Sequence, residues 1–379
     1  MTAEPVGVVG ASARAAVMSL MRAGFRAWAI DLFADRDLQR LAPVRRCPID
    51  DFPQAIPALA GQFPPGPVLY TGGLENYPEV IAALATEREV WGCPADVLPT
   101  LRDPRQLAEH GFDMPRTLPA GTVTPAGGTW LLKSQRSSGG LGVRLARPGE
   151  IAPPGHDLQE FVDGWSLSAV FRGNVLLGVT EQLVGTAWLH ARPFHYAGTI
   201  APVELTHQTH RSVVQTGEAI ADVTRSLALR PAFGEVRDAA RGNKVIWGFD
   251  FILSAGRVVL LEINPRYPAS LEVLEYAGRF EAFSGQHANV TGRLVGKGIY
   301  FAPRSFRFPH SGPWDADLDG PFDPWKLPQF ADIPAPGEPM HAGSPVLTMF
   351  AAGDSIEAVR TELQSRAAEL DSHFARIDA

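Results

Sequence analysis

The chain of 379 residues predicts a multidomain protein of mixed α/β and α+β class. Three observations carry this expectation. The length exceeds what one ordinary core accommodates, so two or three domains are expected. Residues 1–100 alternate short apolar strands with amphipathic helices, the pattern of a parallel sheet. From Leu101 onward, runs of strands with interspersed helices replace that alternation, as in an α+β domain.

Taken in order, Val6 to Gly10 is an apolar strand, followed by a helix over Ala13 to Ala23. That helix is apolar at Ala13, Ala16, Val17, Leu20 and Met21, and Gly24 supplies its stop. Phe25 to Leu32 is a second strand with Asp31 near its end, Val68 to Tyr70 a third, and Glu79 to Thr86 a helix. Prolines at 64–67 and 94–99 punctuate the region.

A second domain is expected over 101–289, opening with a helix capped by Asp103 and running to His110. Strands are predicted over Thr129 to Lys133, Leu158 to Val162, Leu167 to Phe171 and Val175 to Val179. A long helix spans Val213 to Leu229, and a hairpin joins Val245–Leu253 to Arg257–Asn264 through Ser254-Ala-Gly256. The remainder, 290–379, reads as a C-terminal α/β extension. It holds strands at Gly298–Pro303 and Pro345–Ala351 around a Pro/Asp-rich loop, then a terminal helix with Asp354 and Glu357 as a capping box. Ile356, Val359, Leu363, Ala367, Leu370 and Phe374 give that helix one packing face.

Composition excludes several classes. A net charge of −7 and a pI near 5.8 argue against a nucleic-acid partner, which needs a basic face. Cys47 and Cys93 are too few for a disulfide framework and read as buried small hydrophobes. The opening residues lack a basic n-region, and no apolar run reaches about 18 residues, so no membrane span is expected. A cytoplasmic enzyme is the default expectation.

The strongest chemical signal is the hairpin from Gly248 to Arg266. Strand alternation puts Glu262 and Asn264 on one face and Leu261 and Ile263 on the other. The turn returns Asp250 opposite Glu262, while Phe249, Phe251 and Leu253 join the apolar face. Three oxygen donors carrying two negative charges suit magnesium, completed by waters and phosphates. Arg266 follows within reach of a phosphoryl oxygen. A plain hairpin with a solvated acidic face is the alternative; the Asn-Pro-Arg ending argues against it.

A second signal is Lys133 at a strand end before a Ser/Gly loop with Ser137, Ser138, Gly139, Gly140 and Gly142. Such a loop can close over phosphates through its backbone amides. It is not a Walker A motif, since no Gly-Lys-Ser/Thr follows. Between the two signals lies Gln159-Glu160-Phe161-Val162-Asp163-Gly164.

This order of strand lysine, glycine-rich loop, Gln-Glu-Phe-Val-Asp-Gly and Asp…Glu-Ile-Asn-Pro-Arg resembles the ATP-grasp superfamily over Leu101 to Ala277. The resemblance implies an ATP-grasp fold of two lobes, linked near 159–164 and preceded by a parallel α/β domain. It implies that Lys133 contacts nucleotide phosphates, that Ser137 to Gly142 cover them, and that Gln159, Glu160, Phe161 and Val162 form the adenine-binding linker. It further implies Asp250, Glu262 and Asn264 as ligands of magnesium, two ions with manganese as a substitute, and Arg266 as a catalytic partner of Lys133. The cofactors are then ATP and Mg2+, the partners a small-molecule carboxylate and amine, and the assembly a homodimer in many relatives.

Two positions depart from the family pattern. Asp103 is followed by Pro104 where a lysine is common, with Arg102 or Arg105 as substitutes, and Ser166 stands where an acidic residue often holds the ribose. A finer resemblance rests on Tyr70–Pro78, Trp91–Pro94, Arg102–Pro104, Asn264–Glu272 and Gly343–Ala351. These are similar to a bacterial subgroup that accompanies methanopterin- and methanofuran-type one-carbon cofactors, related to ligases attaching glutamate to tyramine or a pterin. The function implied is an ATP-dependent carboxylate–amine ligase. The alternative is a nucleotide-binding regulatory protein that has lost turnover.

Other features carry less. Val9 to Arg14 with Asp31 suggests a nicotinamide site, but the glycine spacing fails G-x-G-x-x-G, so the loop is read as shaping a substrate cleft. Thr71 to Asn76 has the same reading, beside that of a plain turn. His195, Tyr196, His207 and His210 lack the spacing of a zinc site and read as pocket lining or loop surface.

Overall fold

The computed structural model describes residues 4–228, 244–284 and 292–376. The predicted helix end at Leu229 and the boundary at 289/290 lie outside the described residues.

The N-terminal region is the expected parallel sheet. Strands β1 (Val6–Val9), β2 (Ala27–Asp31), β3 (Val44–Arg46) and β4 (Val68–Tyr70) lie in the order β3-β2-β1-β4, with every pairing parallel. Helices α1 (Arg14–Arg22), α2 (Arg36–Leu41), α3 (Ile56–Ala60) and α4 (Pro78–Ala85) connect or cover them. Segments α2, β3 and α3 lack a readable sequence period because each is shorter than two helical turns or four strand residues. Gly10 fits a close approach: its φ is +154°, and a Cβ there would stand 2.1 Å from Thr71 Oγ1.

Two short helices, α5 (Leu98–Leu101) and α6 (Pro104–Glu109), lead into the second region. Asp103 caps α6 as expected, its Oδ1 accepting from the Arg105 amide at 2.9 Å, with Pro104 at the first helical position where no amide is needed. A small sheet follows, built from β5 (Thr117–Leu118), β6 (Trp130–Ser134), β7 (Val143–Leu145) and β8 (His156–Glu160) in the order β5-β8-β6-β7. Trp130, Leu132, Ala152 and Leu158 form its separate core.

The larger lobe starts with β9 (Trp165–Arg172), β10 (Val175–Val184) and β11 (Tyr196–Ala201), followed by α7 (His207–Leu227). The hairpin β12 (Ile246–Ser254) and β13 (Arg257–Asn264) turns at Ala255-Gly256, both with positive φ as a two-residue turn requires. Helix α8 (Leu271–Gly278) comes next. Beyond it lie β14 (Leu294–Phe301), β15 (Phe306–Arg307), α9 (Asp315–Leu318), β16 (Phe330–Ala331), β17 (Pro339–Met340), β18 (Pro345–Gly353) and α10 (Ile356–Ala375). Strands from both regions form one antiparallel sheet, β13-β12-β9-β10-β11-β14-β18-β16. The region after 290 therefore continues the sheet that carries the hairpin. Beneath it, Phe171 stacks on Trp247 at 4.8 Å between ring centres.

The face predicted for the terminal helix holds, with Val359, Leu363, Ala367, Leu370 and Phe374 buried. Its cap differs. Ser355 rather than Asp354 is the N-cap, because β18 runs to Gly353 and the extended backbone at 355 aims that hydroxyl at the Ala358 amide, 3.1 Å away. No helix among the described residues is long and apolar enough to cross a membrane. Both cysteines are free and buried.

A buried ionic network ties the N-terminal sheet to the large lobe. Arg14 Nη1 donates to Glu272 Oε1 at 2.6 Å and Arg14 Nε to Asp332 Oδ1 at 2.7 Å, while Lys297 Nζ reaches Glu272 Oε2 at 2.9 Å. Burial opposes the Glu272 charge, but Arg14 and Lys297 outweigh it and hold the carboxyl far below its usual range. Removing one partner leaves buried charges uncompensated. Arg14→Met should therefore destabilise the protein by about 3–5 kcal/mol, read as a shift of the urea midpoint; an unchanged midpoint would remove this network from the account.

Candidate active site

The hairpin brings the predicted polar residues together. Asp250 lies directly opposite Glu262, and the same cross-strand row continues through Ser168 on β9 to Thr180 on β10. Asn264 Nδ2 donates to Asp250 Oδ2 at 3.0 Å, and the Ser168 hydroxyl beside that carboxyl shares a 3.4 Å contact with Ser270 Oγ. One assignment of side changes. A β-bulge between Asp250 and Phe251 pairs Phe251 with Leu260, so Leu260 joins the buried core and Leu261 turns to the cleft beside Glu262. The extra residue breaks the strict alternation from which Leu261 was placed on the apolar face.

Charge around this row is partitioned. Lys133 Nζ and Arg102 Nη1 each lie 3.7 Å from Glu262 Oε2. Burial opposes ionisation of Glu262, but Arg102, Lys133 and Arg266 together keep its pKa below the ordinary value. Asp250 goes the other way: burial first, then the neighbouring Glu262 charge, push it up to about 6. The two facing carboxylates thus behave as one charged and one readily protonated group, which a cation between them would convert to two charged ligands. With only two carboxylates and one amide, the group needs further oxygens from a bound ligand to complete a hard-cation shell.

Arg266 is buried beside this row. Its Nη2 donates to Asn264 Oδ1 at 2.9 Å and to Glu75 Oε1 at 3.2 Å, and its Nη1 to Tyr267 O at 3.2 Å. Glu75 comes from the turn after β4, inside the stretch Thr71 to Asn76 singled out from sequence. Its other oxygen, Oε2, is buried without a hydrogen-bond partner among the described residues.

A cleft of about 380 Å³ opens along these groups, lined by Lys133, Gln159, Leu261 and Glu262, by Glu75 and Asn76, and by Arg102 and Arg105. Both arginines offered for the missing lysine therefore face it. Gln159 is buried and donates to Thr117 Oγ1 at 3.3 Å. Strand β8 stops at Glu160, two residues before the predicted end, and Glu160, Phe161 and Val162 fall outside the cleft lining. The Glu160 and Phe161 amides donate to Arg116 O and Thr129 O, and the Phe161 ring is 42% exposed. Ser166 donates to Gln182 Oε1 at 2.9 Å.

The glycine-rich loop is folded inward. Ser137 is buried, and its carbonyl accepts from Arg102 Nη2 at 3.1 Å and Asn76 Nδ2 at 3.3 Å. The Gly139 carbonyl accepts from the Tyr196 amide at 3.0 Å. A Cβ on Gly140 would meet Phe194 O at 1.9 Å, so that position must be glycine in this arrangement. Ser138 and Gly142 stand on the outer part of the loop, with Gly142 exposed.

Ser168 was not legible beforehand, a serine between Leu167 and Ala169 in an apolar strand. Glu75 and Asn76 lie in the stretch read as cleft wall or plain turn, and Tyr196 in the one read as pocket lining or loop surface, with no contact foreseen for any of the three. The histidine-rich stretch divides: Tyr196 opens β11, while His207 and His210 are exposed on the first turn of α7. Asp31 has a structural occupation, accepting from the amides of Ala13 at 2.6 Å, Phe33 at 2.7 Å and Ala34 at 2.8 Å.

This arrangement, two lobes with a lysine, a glycine-rich cover and an Asp/Glu/Asn row between them, defines the ATP-grasp fold. Residues 101–270 match the family profile of the ATP-grasp domain. No curated protein matches the chain. Among solved structures, the chain is similar to N5-carboxyaminoimidazole ribonucleotide synthetase from Thermus thermophilus, with TM-score 0.64, 14% identity, and 96% and 98% of the two chains covered. L-amino acid ligase from Bacillus licheniformis superposes with TM-score 0.64 at 14% identity, covering 97% and 98%. Phosphoribosylamine–glycine ligase from Thermotoga maritima does so with TM-score 0.59 at 16% identity, covering 97% of each. The likeness thus takes in the N-terminal parallel sheet as well as residues 101–270.

The raised carboxyl has a consequence for the protein without ligands. A folded-state pKa of about 6 against 3.8 for the free group means that Asp250 costs stability. That cost is absent where both states are protonated, grows as pH rises from about 4 to about 6, and stays constant above. Asp250→Asn should therefore stabilise the ligand-free protein by about 1–3 kcal/mol near neutral pH and leave it unchanged at about pH 3, where both states are protonated. Urea unfolding at the two pH values checks this; equal effects at both would contradict the assigned cause.

Proposed function

We propose that the protein is an ATP-dependent ligase that joins a small-molecule carboxylate to an amine, with ADP and phosphate as products. The observation that carries this reading is the Glu262–Asp250–Asn264 row closed by Lys133 on one side and the buried Arg266 on the other. ATP and magnesium fit that donor set. Asp250, Glu262 and Asn264 would hold the ions, two by family resemblance, with Lys133 and Arg102 facing the phosphates and the Ser137–Gly142 loop covering them. Gln159 and Leu261, both in the cleft lining, would bound the adenine side, with Glu160–Val162 assigned there by family resemblance alone.

In this reading a carboxylate oxygen of the substrate attacks the terminal phosphorus of ATP, and the bond to the ADP oxygen breaks. The resulting acyl phosphate is attacked at carbon by the amine, which loses a proton as phosphate leaves and the amide forms. Bound magnesium would supply charge neutralisation at the transferring phosphoryl group. The chain itself needs no nucleophile; its contribution is positioning and fixed positive charge in a partly buried site. Glu75 orients Arg266 for that task through its two contacts with Oε1.

For the particular substrates we favour a glutamate-type amino acid, added during biosynthesis of a one-carbon-carrier cofactor. That preference rests on the resemblance of Tyr70–Pro78, Trp91–Pro94 and Asn264–Glu272 to the methanopterin/methanofuran-associated subgroup. The test is magnesium-dependent ADP release, screened over amino acids, tyramine-like amines and pterin or folate acids. Release requiring one carboxylate–amine pair is the expected result. ATP binding with no release for any pair would turn the reading toward a nucleotide-binding protein without turnover.

Substitutions sharpen the assignment. Asp250→Asn and Glu262→Gln should each lower ADP formation by at least about 100-fold with the folded state intact. Wild-type turnover in either variant would sink the metal assignment. Lys133→Met should also reduce turnover strongly, since it removes one of the two fixed charges that lie 3.7 Å from Glu262 Oε2.

A further inference from the structure

Tyr196 occupies a position that none of the roles above uses. A register shift in the β10–β11 pairing, between Leu183 and Val184, pairs Val184 with Tyr196 and leaves Ala197 without an opposite residue. Ala197 packs into the C-terminal core with Ile200 and Val359, so the irregularity frees Tyr196 to turn to the other side of the sheet. Its backbone amide holds the Gly139 carbonyl of the glycine-rich loop at 3.0 Å. Its hydroxyl is buried and has no hydrogen-bond partner among the described residues. Burial first, then the charges of Asp250 and Glu272, disfavour ionisation of that hydroxyl, and Arg266 opposes them.

A buried phenol without a partner loses the hydration it had in the unfolded chain, and native structures keep such groups for a reason. Glu272 is already satisfied by Arg14 and Lys297, and Arg266 by Glu75, Asn264 and Tyr267. The missing partner is then an acceptor brought by a ligand to the face of the sheet that carries the Asp250 row, the face to which the Val184–Tyr196 pairing assigns Tyr196. We infer that the Tyr196 hydroxyl donates to an oxygen of the terminal phosphoryl group of the bound nucleoside triphosphate. One residue would then latch the cover loop with its backbone and contact the transferring group with its side chain. This assignment rests on the ATP-dependent reading given above.

The test compares wild type with Tyr196→Phe, which keeps the ring and the backbone latch and removes only the oxygen. Dissociation constants are measured by calorimetry for MgADP and for the magnesium complex of a non-hydrolysable ATP analogue with an imido β–γ bridge. A hydrogen bond to a charged acceptor predicts about tenfold weaker binding of the analogue, with MgADP affinity kept within about twofold. In the absence of nucleotide the variant should be at least as stable to urea as wild type, because it loses an unpaired buried polar atom.

Equal weakening of both nucleotides, or no change in either, would overturn the inference, as would a loss of stability in the ligand-free variant. If wild type bound neither nucleotide, the ATP-dependent reading itself would fall, and the inference with it. The two failures are therefore told apart by the wild-type measurement alone.

Discussion

The site depends on how one buried guanidinium is held. Arg266 lies just past the end of β13, between Glu75 from the N-terminal sheet and Asn264 from the hairpin. Burial alone would disfavour its charge, but Glu75, then Asp250 and Glu262, outweigh that and raise its pKa above the usual value. A charge so placed cannot be neutralised in place, so its carboxylate neighbours must stay close. The contact fixes the turn after β4 against the hairpin end, and both line the cleft wall. The Arg14–Glu272–Lys297 network repeats the device further along the interface. Two domains that could otherwise shift against each other are thereby registered around the Asp/Glu/Asn row.

On that frame the chemistry needs little more. Fixed cations at Lys133, Arg102 and Arg266 surround two carboxylates held at different protonation tendencies. Such a site is poorly balanced without ligands: Asp250 resists ionisation and the hydroxyl of Tyr196 lacks a partner among the described residues. Both tensions would be relieved by a cation and an anionic oxygen arriving together, which is what a metal–nucleotide complex provides. The glycine-rich loop adds closure, and Gly140 is the point at which any side chain would block it.

Much of this was legible in the sequence where the local signal is strong. The parallel N-terminal sheet followed from apolar strands alternating with helices. The hairpin followed from period-two alternation, with Asp250, Glu262 and Asn264 on one side, and the terminal helix from its apolar repeat. What escaped depends on geometry that no short window encodes. The bulge at Asp250/Phe251 turned Leu261 toward the cleft against the alternation rule, and no strand was read at Tyr196, whose side of the sheet follows from the irregularity at Leu183/Val184. Glu75 and Asn76 acquire meaning only when β4 is placed beside the hairpin end, nearly two hundred residues later in the chain. The boundary of β8 at Glu160 was misplaced because the apolar Phe161 and Val162 prolong a strand-like pattern beyond the last ladder pair.

The most direct test of the proposed function is where a divalent metal binds. Crystals of the protein with Mn2+ and the imido analogue of ATP, measured at a wavelength that reveals manganese by anomalous scattering, would locate the ions without reference to any assumed substrate. The account predicts anomalous peaks between Asp250, Glu262 and Asn264, with the analogue's terminal phosphoryl group bridged to them and facing Lys133 and Arg266. Manganese bound away from that row, with nucleotide in the cleft and Asp250 and Glu262 contacting neither, would contradict it.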